Sequence, residues 1–379
     1  MHRVYCDANA TTPLMPEVLE AMRPYWIDAF GNASSIHREG QQARKAVNHA
    51  REAVARLLHC SEAEVVFNSG GTEGANTAIF GLLGPGDHFV TTSIEHSAVL
   101  RAAESVAKRG VEVTTVAPRT DGLIDPEAIR QAIRPRTRLI SVMLANNETG
   151  VVQPVDQIGA IAAEAGACFH IDAVQGAGKI PLDVQRIGCH ICTISAHKIY
   201  GPKGVGAMYL RRGTPLEPLI VGGSHERKRR AGTENVPGIV GLGKAAELAL
   251  TSLDDGTPNR LARLRDRLEA GILAVGGASV NGAGAPRVAN TTNIRFDGVE
   301  GEALIIALDL KGVAVSGGSA CHSGATEPSH VLMAMGLDKN AARSSLRFSL
   351  LRTATDADVD FVLQVVPEAV ERLRALAPV

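Results

Sequence analysis

Lys198 ends the run Ser195-Ala196-His197-Lys198, between an apolar stretch and the glycine-rich turn Gly201-Pro202-Lys203-Gly204. A lysine at the end of a buried strand, beside a hydroxyl and an imidazole, is placed to hold an aldehyde cofactor covalently. A surface lysine needs none of that company. Four other apolar runs also end in polar clusters: Asn68-Ser69-Gly70-Gly71-Thr72-Glu73, Ser93-Ile94-Glu95-His96, Asn146-Asn147-Glu148-Thr149-Gly150 and Asp172-Ala173-Val174-Gln175. Open α/β sheets bind ligands outside the carboxyl ends of their strands. One polar strand end is a turn; five describe a site.

Each group has a chemical use and a plainer one. Gly71 and Thr72, opening a helix, can offer backbone N–H groups and a hydroxyl to an anion, or simply start the helix. They are not a P-loop, whose lysine and spacing are missing. Asp172 follows an apolar run, where a carboxylate needs a cationic partner such as a protonated pyridine nitrogen; otherwise it caps a turn. His96 can stack on a ring and move protons, and Gln175 can hydrogen-bond a phenolic oxygen, although either alone is a common structural residue. Together they describe a pyridoxal phosphate site, with Lys198 for the aldehyde, Asp172 for the ring nitrogen and a hydroxyl-rich anchor for the phosphate.

A second reactive residue lies far away in sequence. Cys321 sits inside Ser316-Gly317-Gly318-Ser319-Ala320-Cys321-His322-Ser323-Gly324-Ala325, a run of small residues unlike the apolar setting of a packed cysteine. It is either an incidental loop cysteine or a nucleophile that reaches a substrate and then a partner, with His322 available to lower the thiol pKa. Cys189-His190-Ile191-Cys192 has Cys-x-x-Cys spacing but leads into an apolar strand and lacks a second ligand pair, so core packing is expected and no metal site. Cys6, Cys60 and Cys168 read as structural.

The elements that must position these groups alternate. Strands are expected at Glu64–Phe67, His88–Thr92, Val111–Val116, Arg138–Leu144, Cys168–Ile171, Ile191–Ile194 and Val205–Leu210. Helices are expected from Pro16 through Ile27 and over Gln41–His59, Glu73–Leu83, Ser97–Lys108, Pro126–Ile133, Val155–Ala165 and Asn259–Leu273. Such alternation predicts an α/β fold with a mainly parallel sheet covered on both faces. The 379 residues exceed a typical single domain. Residues 13–250 are expected to form a large domain, and 1–12 with 251–379 a smaller α+β one carrying the Cys321 loop. A net charge of -1 argues against nucleic acid or a membrane surface as main partner. No segment reads as long and apolar enough to span a bilayer, and the start carries no apolar signal region. Six scattered cysteines suit a reducing, cytoplasmic setting.

With these residues assembled, the sequence closely resembles the cysteine desulfurases of the nitrogen-fixation and iron–sulfur assembly kind, in the class V aminotransferase group of fold type I pyridoxal phosphate enzymes. The resemblance runs through Asp7–Thr12, Asn32–His37, Ser69–Glu73, Glu95–Val99, Asn146–Pro154, Asp172–Pro181, Ser195–Gly206, Gly232–Gly238, Ser316–Leu332 and Arg347–Leu350. It implies that Lys198 binds the cofactor and shuttles a proton, that Asp172, Gln175 and His96 contact the ring, and that Gly71, Thr72, Ser195 and His197 hold the phosphate. Thr233 matches a residue that reaches the phosphate from a neighbouring subunit, which implies a homodimer with shared sites. Asn147 and Arg347 match substrate-binding positions, Arg347 as a clamp on a carboxylate. L-cysteine would yield L-alanine, with its sulfur left on Cys321 as a persulfide for an iron–sulfur scaffold or another acceptor. The segment Glu327–Leu332 matches the longer-loop subgroup that hands sulfur directly to scaffolds.

Three positions depart from the family pattern: Ala8 where Asn is common, Ala33 where Pro is usual, and the helix start around Gly74. The same scaffold also hosts aminotransferases, which have no need of Cys321, and selenocysteine lyases. A non-catalytic docking protein would not need to keep lysine, aspartate and cysteine together.

Overall fold

The computed structural model describes residues 3–317 and 327–376. Its strands are β1 (Val4–Tyr5), β2 (Val65–Asn68), β3 (His88–Thr92), β4 (Glu112–Val116), β5 (Thr137–Met143), β6 (Cys168–Asp172), β7 (Ile191–Ser195), β8 (Gly206–Leu210), β9 (Ala278–Val280), β10 (Thr291–Phe296), β11 (Val313–Ala314) and β12 (Ser345–Ser349). Seven of them form one sheet in the order β2-β8-β7-β6-β5-β3-β4, in which β8 alone runs against its neighbours. Every residue of β2, β3, β6, β7 and β8 is buried. That burial suits near-continuous apolar runs covered by helices on both faces. The edge strand β4 is half-exposed and carries Glu112 and two threonines.

The strands fall within a residue or two of their expected places, and the helix boundaries moved for local reasons. The helix Arg38–Leu58 starts ahead of Gln41 because His37 caps it, its Nδ1 accepting the Gly40 N–H at 3.3 Å. The single helix expected through Ile27 is two, Pro16–Met22 and Pro24–Ile27; Pro24 has no N–H to donate to the preceding turn. The helix expected from Glu73 begins at Gly71, which puts Gly71 and Thr72 in its first turn.

One expectation is overturned. The helix Val236–Asp254 is long and apolar enough to cross a membrane by length and composition. Its hydropathy serves packing instead. Gly238, Gly241, Gly243, Ala245, Ala246 and Ala249 are buried, and a Cβ on Gly243 would stand 2.5 Å from the Ala50 Cα of the helix Arg38–Leu58. Small residues let the two helices approach closely.

The largest apolar core runs from Val18 to Ala249 and also takes in Val331, Leu332 and Met335. A separate core joins Val4 and Cys6 to Leu261, Leu264, Ile294, Phe348 and Val366. Parallel pairing of β1 with β11 and the antiparallel sheet β12-β10-β9 build it. The N-terminal arm then passes from this second core toward the sheet: Ala8 N–H bonds Ser349 C=O at 3.0 Å, and Thr12 N–H bonds His197 C=O at 3.0 Å.

Candidate active site

The carboxyl ends of β2, β3, β5, β6 and β7 open on one cavity of about 310 Å³. Lys198, His96, Asp172, Gln175, Gly71, Thr72, Ser195, His197, Asn147 and Arg347 all line it, joined by Asn9 and Ala10 from the N-terminal arm. One expected residue is not in it, and another cannot be placed relative to it. Thr233 is exposed and lies away from the cavity wall, and Cys321 lies outside the described residues.

One wall of the cavity is built on the helix Gly71–Leu82. Gly70 enters it at φ 144°, a conformation open to glycine alone, and the first intrahelical bond is Gly74 N–H to Gly70 C=O at 3.1 Å. The N–H groups of Gly71 and Thr72 therefore have no acceptor within the helix. Two close approaches fix its position. A Cβ on Gly71 would stand 2.6 Å from Val174 Cγ2, and one on Gly74 would stand 2.5 Å from Thr193 Cγ2 of β7. The departure at Gly74 thus has a packing reason. Glu73 accepts the Ser69 N–H and pairs with Arg230 at 2.9 Å, tying this helix start to the segment that carries Thr233.

Lys198 ends a single 3-10 turn after β7, and its Nζ donates to the carbonyls of Asn9 at 2.6 Å and Ala10 at 2.7 Å. His197 Nδ1 meets Thr11 Oγ1 at 3.1 Å, and burial with the nearby Lys198 and Lys203 lowers its pKa to about 4, so the ring is neutral. Asp172 closes β6. Burial pushes its carboxyl up, against the Val174 N–H bond of 3.0 Å and the pull of His96 and Lys198. No cation stands within ion-pair distance of it among the described residues. His96 caps the next helix: Nδ1 accepts the Ala98 N–H at 3.1 Å, which places the proton of the neutral ring on Nε2. Burial holds this imidazole below its ordinary pKa.

Arg347 is 2% exposed. Nη1 donates to Asn147 C=O at 2.9 Å and Nη2 to Asp7 Oδ1 at 2.7 Å. Two of its five N–H donors are thereby used, and the rest of the fork remains for a carboxylate. Asn147 holds Arg347 with its backbone, a role that its side-chain type did not announce.

A model of the class-V aminotransferases matches residues 4–362. A cysteine desulfurase of Trichormus azollae is 50% identical over 382 residues, covering 100% of this chain and 95% of that protein. The cysteine desulfurase IscS of Methanosarcina thermophila is 48% identical, with 99% and 94% coverage. The chain belongs to the class-V aminotransferases, among their cysteine desulfurases. A solved NifS-like protein superposes with a TM-score of 0.91 at 35% identity, covering 98% of this chain and 100% of its own. A structure described as SspA in complex with cysteine gives 0.81 at 36% identity, with 92% and 98% coverage. The α/β fold is therefore that of a family of pyridoxal phosphate enzymes.

Several groups of this desulfurase were not singled out in the sequence. Asp7 orients Arg347, and Asn9 links the arm to Asn147, its Nδ2 donating to that carbonyl at 3.1 Å and to Thr291 Oγ1 at 3.0 Å. Their signal was an acid and an amide in the arm motif Asp7–Thr12. Behind His96, Glu95 is fully buried; its Oε1 accepts from Thr92 Oγ1 at 2.7 Å and Met143 N–H at 2.9 Å, while Oε2 has no hydrogen-bond partner among the described residues. His330 Nε2 bonds the Glu95 carbonyl at 3.0 Å, and Ser329 Oγ bonds the buried Glu148 carboxylate. These two contacts seat the segment carrying Ser329 and His330 against the site. Cys189 and Cys192 are buried in the large core, and burial pushes the Cys189 thiol up to about 12.

Glu95 makes stability depend on pH. Burial pushes its carboxyl up to about 8 from 4.5. Between those values the folded chain keeps a proton that the unfolded chain releases, so this group's contribution falls as pH rises through about 8. Glu95→Gln cannot ionise. Denaturant unfolding from about pH 6 to about pH 9 is expected to show the variant gaining stability relative to wild type as pH rises. A stability difference between the two proteins that does not change over this range would mean that Glu95 is already ionised at neutral pH.

Proposed function

We propose that this desulfurase binds pyridoxal phosphate through Lys198 and passes the sulfur of L-cysteine to Cys321 as a persulfide, releasing L-alanine. The observation that carries this reading is the convergence of Lys198, Asp172 and Arg347 on one cavity: an amine, a buried carboxylate and a guanidinium, each with a different part of the chemistry to serve.

The donor set fits the cofactor. Asp172 is a buried carboxylate without an ion-pair partner among the described residues, and a pyridinium nitrogen supplies that partner. The N–H groups of Gly71 and Thr72 have no helical acceptor, and with Ser195 and neutral His197 they suit a phosphate. Gln175 suits the ring oxygen and His96 the ring face. When bound, the cofactor supplies an electron sink for the substrate Cα.

The chain's own groups do the rest. Arg347, braced by Asp7 and the Asn147 carbonyl, binds the substrate carboxylate and aims the Cα–H toward Lys198. Lys198 Nζ takes and returns the proton at that carbon, and neutral His96 holds or releases one beside it. Cys321 Sγ attacks the substrate sulfur. An S–S bond forms, the C–S bond breaks, and the carbon takes a proton to become the methyl of L-alanine. Thiol plus L-cysteine thus balances persulfide plus L-alanine, with no external oxidant.

The homodimer is part of this proposal. Trp26, Ile27, Phe30, Ile36 and Val221 are all exposed on the single chain, and apolar surface of that kind favours a partner. Thr233, exposed and tethered through Arg230 to the phosphate helix, suits a role in the neighbouring subunit's site. Delivery of the sulfur to an iron–sulfur scaffold follows the resemblance at Glu327–Leu332. Free thiols at Cys6, Cys60, Cys168, Cys189 and Cys192 support a reducing, cytoplasmic setting.

Mass spectrometry after incubation of the cofactor-loaded protein with L-cysteine tests the assignment. One added sulfur is expected on the peptide containing Cys321, removable by a reducing thiol. Release of L-alanine with no sulfur on that peptide would overturn it.

A further inference from the structure

Lys179 is a polar group near the site to which the mechanism gives no work. It lies seven residues beyond Asp172, on the turns that follow β6, with its N–H bonded to Gly176 C=O at 3.0 Å. Its Nζ donates to Gln175 Oε1 at 2.6 Å and to Asn9 Oδ1 at 2.7 Å. No carboxylate pairs with it among the described residues. Burial, Lys198 and Arg347 all press its ammonium toward the neutral amine. A neutral amine still has two hydrogens, enough for both bonds.

Those bonds decide which way an amide points. An amide reads almost the same either way round, and only its partners choose between donor and acceptor. Asn9 is fixed from its far side, where Nδ2 donates to Asn147 C=O and Thr291 Oγ1, so Oδ1 faces Lys179. Gln175 Nε2 donates to the Asn9 carbonyl at 2.9 Å, the same oxygen that accepts from Lys198. With Oε1 held by Lys179, the second Nε2 hydrogen is the polar group that Gln175 can offer to the cavity it lines.

We propose that Lys179 is a positioning residue that locks the Gln175 amide as a hydrogen-bond donor toward the ring oxygen of the bound cofactor. This rests on the pyridoxal phosphate reading of the cavity. A donor stabilises an oxyanion on the ring, and the reversed amide would present a carbonyl that repels it. Lys179 touches neither ring nor substrate; it acts through Gln175.

The test is a pH titration of the visible absorption of the cofactor-loaded protein in a double-mutant cycle. Lys179→Met keeps the stem and removes both donors. Its titration midpoint is expected to move up by about one pH unit, because an ill-held amide no longer favours the oxyanion. In a Gln175→Ala background the same substitution is expected to add almost nothing. Equal shifts in both backgrounds would show that Lys179 acts by bulk charge or by general structure, and would overturn the proposal, as would an unmoved midpoint. If Lys179→Met does not fold, Lys179→Gln carries the same comparison. Its amide can donate or accept, so Gln175 is no longer obliged to point one way, and a smaller upward shift is expected. A wild-type protein with no visible band after loading would instead defeat the cofactor reading itself, a separate failure.

Discussion

Lys198→Ala is expected to abolish the visible band of the cofactor-loaded protein and to lower L-cysteine turnover by at least about 10⁴-fold. The size follows from two losses at one atom. Among the described residues Nζ is the only amine lining the cavity, and the proposed mechanism also makes it the base at the substrate Cα. Alanine removes both functions while leaving the proposed phosphate anchors at Gly71, Thr72, Ser195 and His197 in place. The variant should therefore still take up the cofactor reversibly, which dialysis followed by fluorescence measures. Folding should survive, because Lys198 is half-buried on a short turn rather than packed in the core. A variant that kept the band through dialysis would move the covalent anchor elsewhere, and Lys179 would be the amine to examine.

The sheet was legible because its strands are short apolar runs ended by polar clusters, and a buried parallel strand can hardly read otherwise. The same logic exposed most of the site: Asp172 and Lys198 stand where apolar residues stop, and strand ends converge in this topology. The sequence was less informative about groups that arrive from far away. Asn9 lies 189 residues from Lys198, and Arg347 lies 340 from Asp7; only the fold brings them together. Asn147 contributes its carbonyl, which no residue type discloses. Glu95 looked like a neighbour of His96 and proved to be a buried acid, because its side chain passes behind the strand ends to Thr92 and Met143. The helix Val236–Asp254, long and apolar enough for a span where the sequence reading expected none, shows the limit of hydropathy, since glycine and alanine packed between helices have much the composition of a membrane span. Thr233 makes the complementary point. Its place in a motif is plain, yet the cavity that gathers the other motif residues does not include it among the described residues.

Cys321→Ala is expected to separate the two halves of the reaction. The variant should keep the visible band and bind L-cysteine, because Lys198, Asp172 and Arg347 are untouched. Sulfide and L-alanine should fall by at least about 10³-fold, for without a thiolate no group accepts the sulfur and the C–S bond has no partner for its departure. The Cα proton should continue to exchange, since in the proposed mechanism Lys198 and His96 act on that bond before the sulfur moves. Proton NMR of L-cysteine in deuterated water reads this directly, as loss of the Cα signal without appearance of alanine. Cys321→Ser should behave in the same way, because a hydroxyl has the size of the thiol without its nucleophilicity at neutral pH. The pair also decides among chemistries on this scaffold. An aminotransferase would turn over at the wild-type rate in both variants, since moving an amino group needs the lysine and no cysteine. Wild-type release of sulfide from Cys321→Ala would remove the residue from the mechanism and leave Lys198 and its cavity to break the C–S bond by elimination alone.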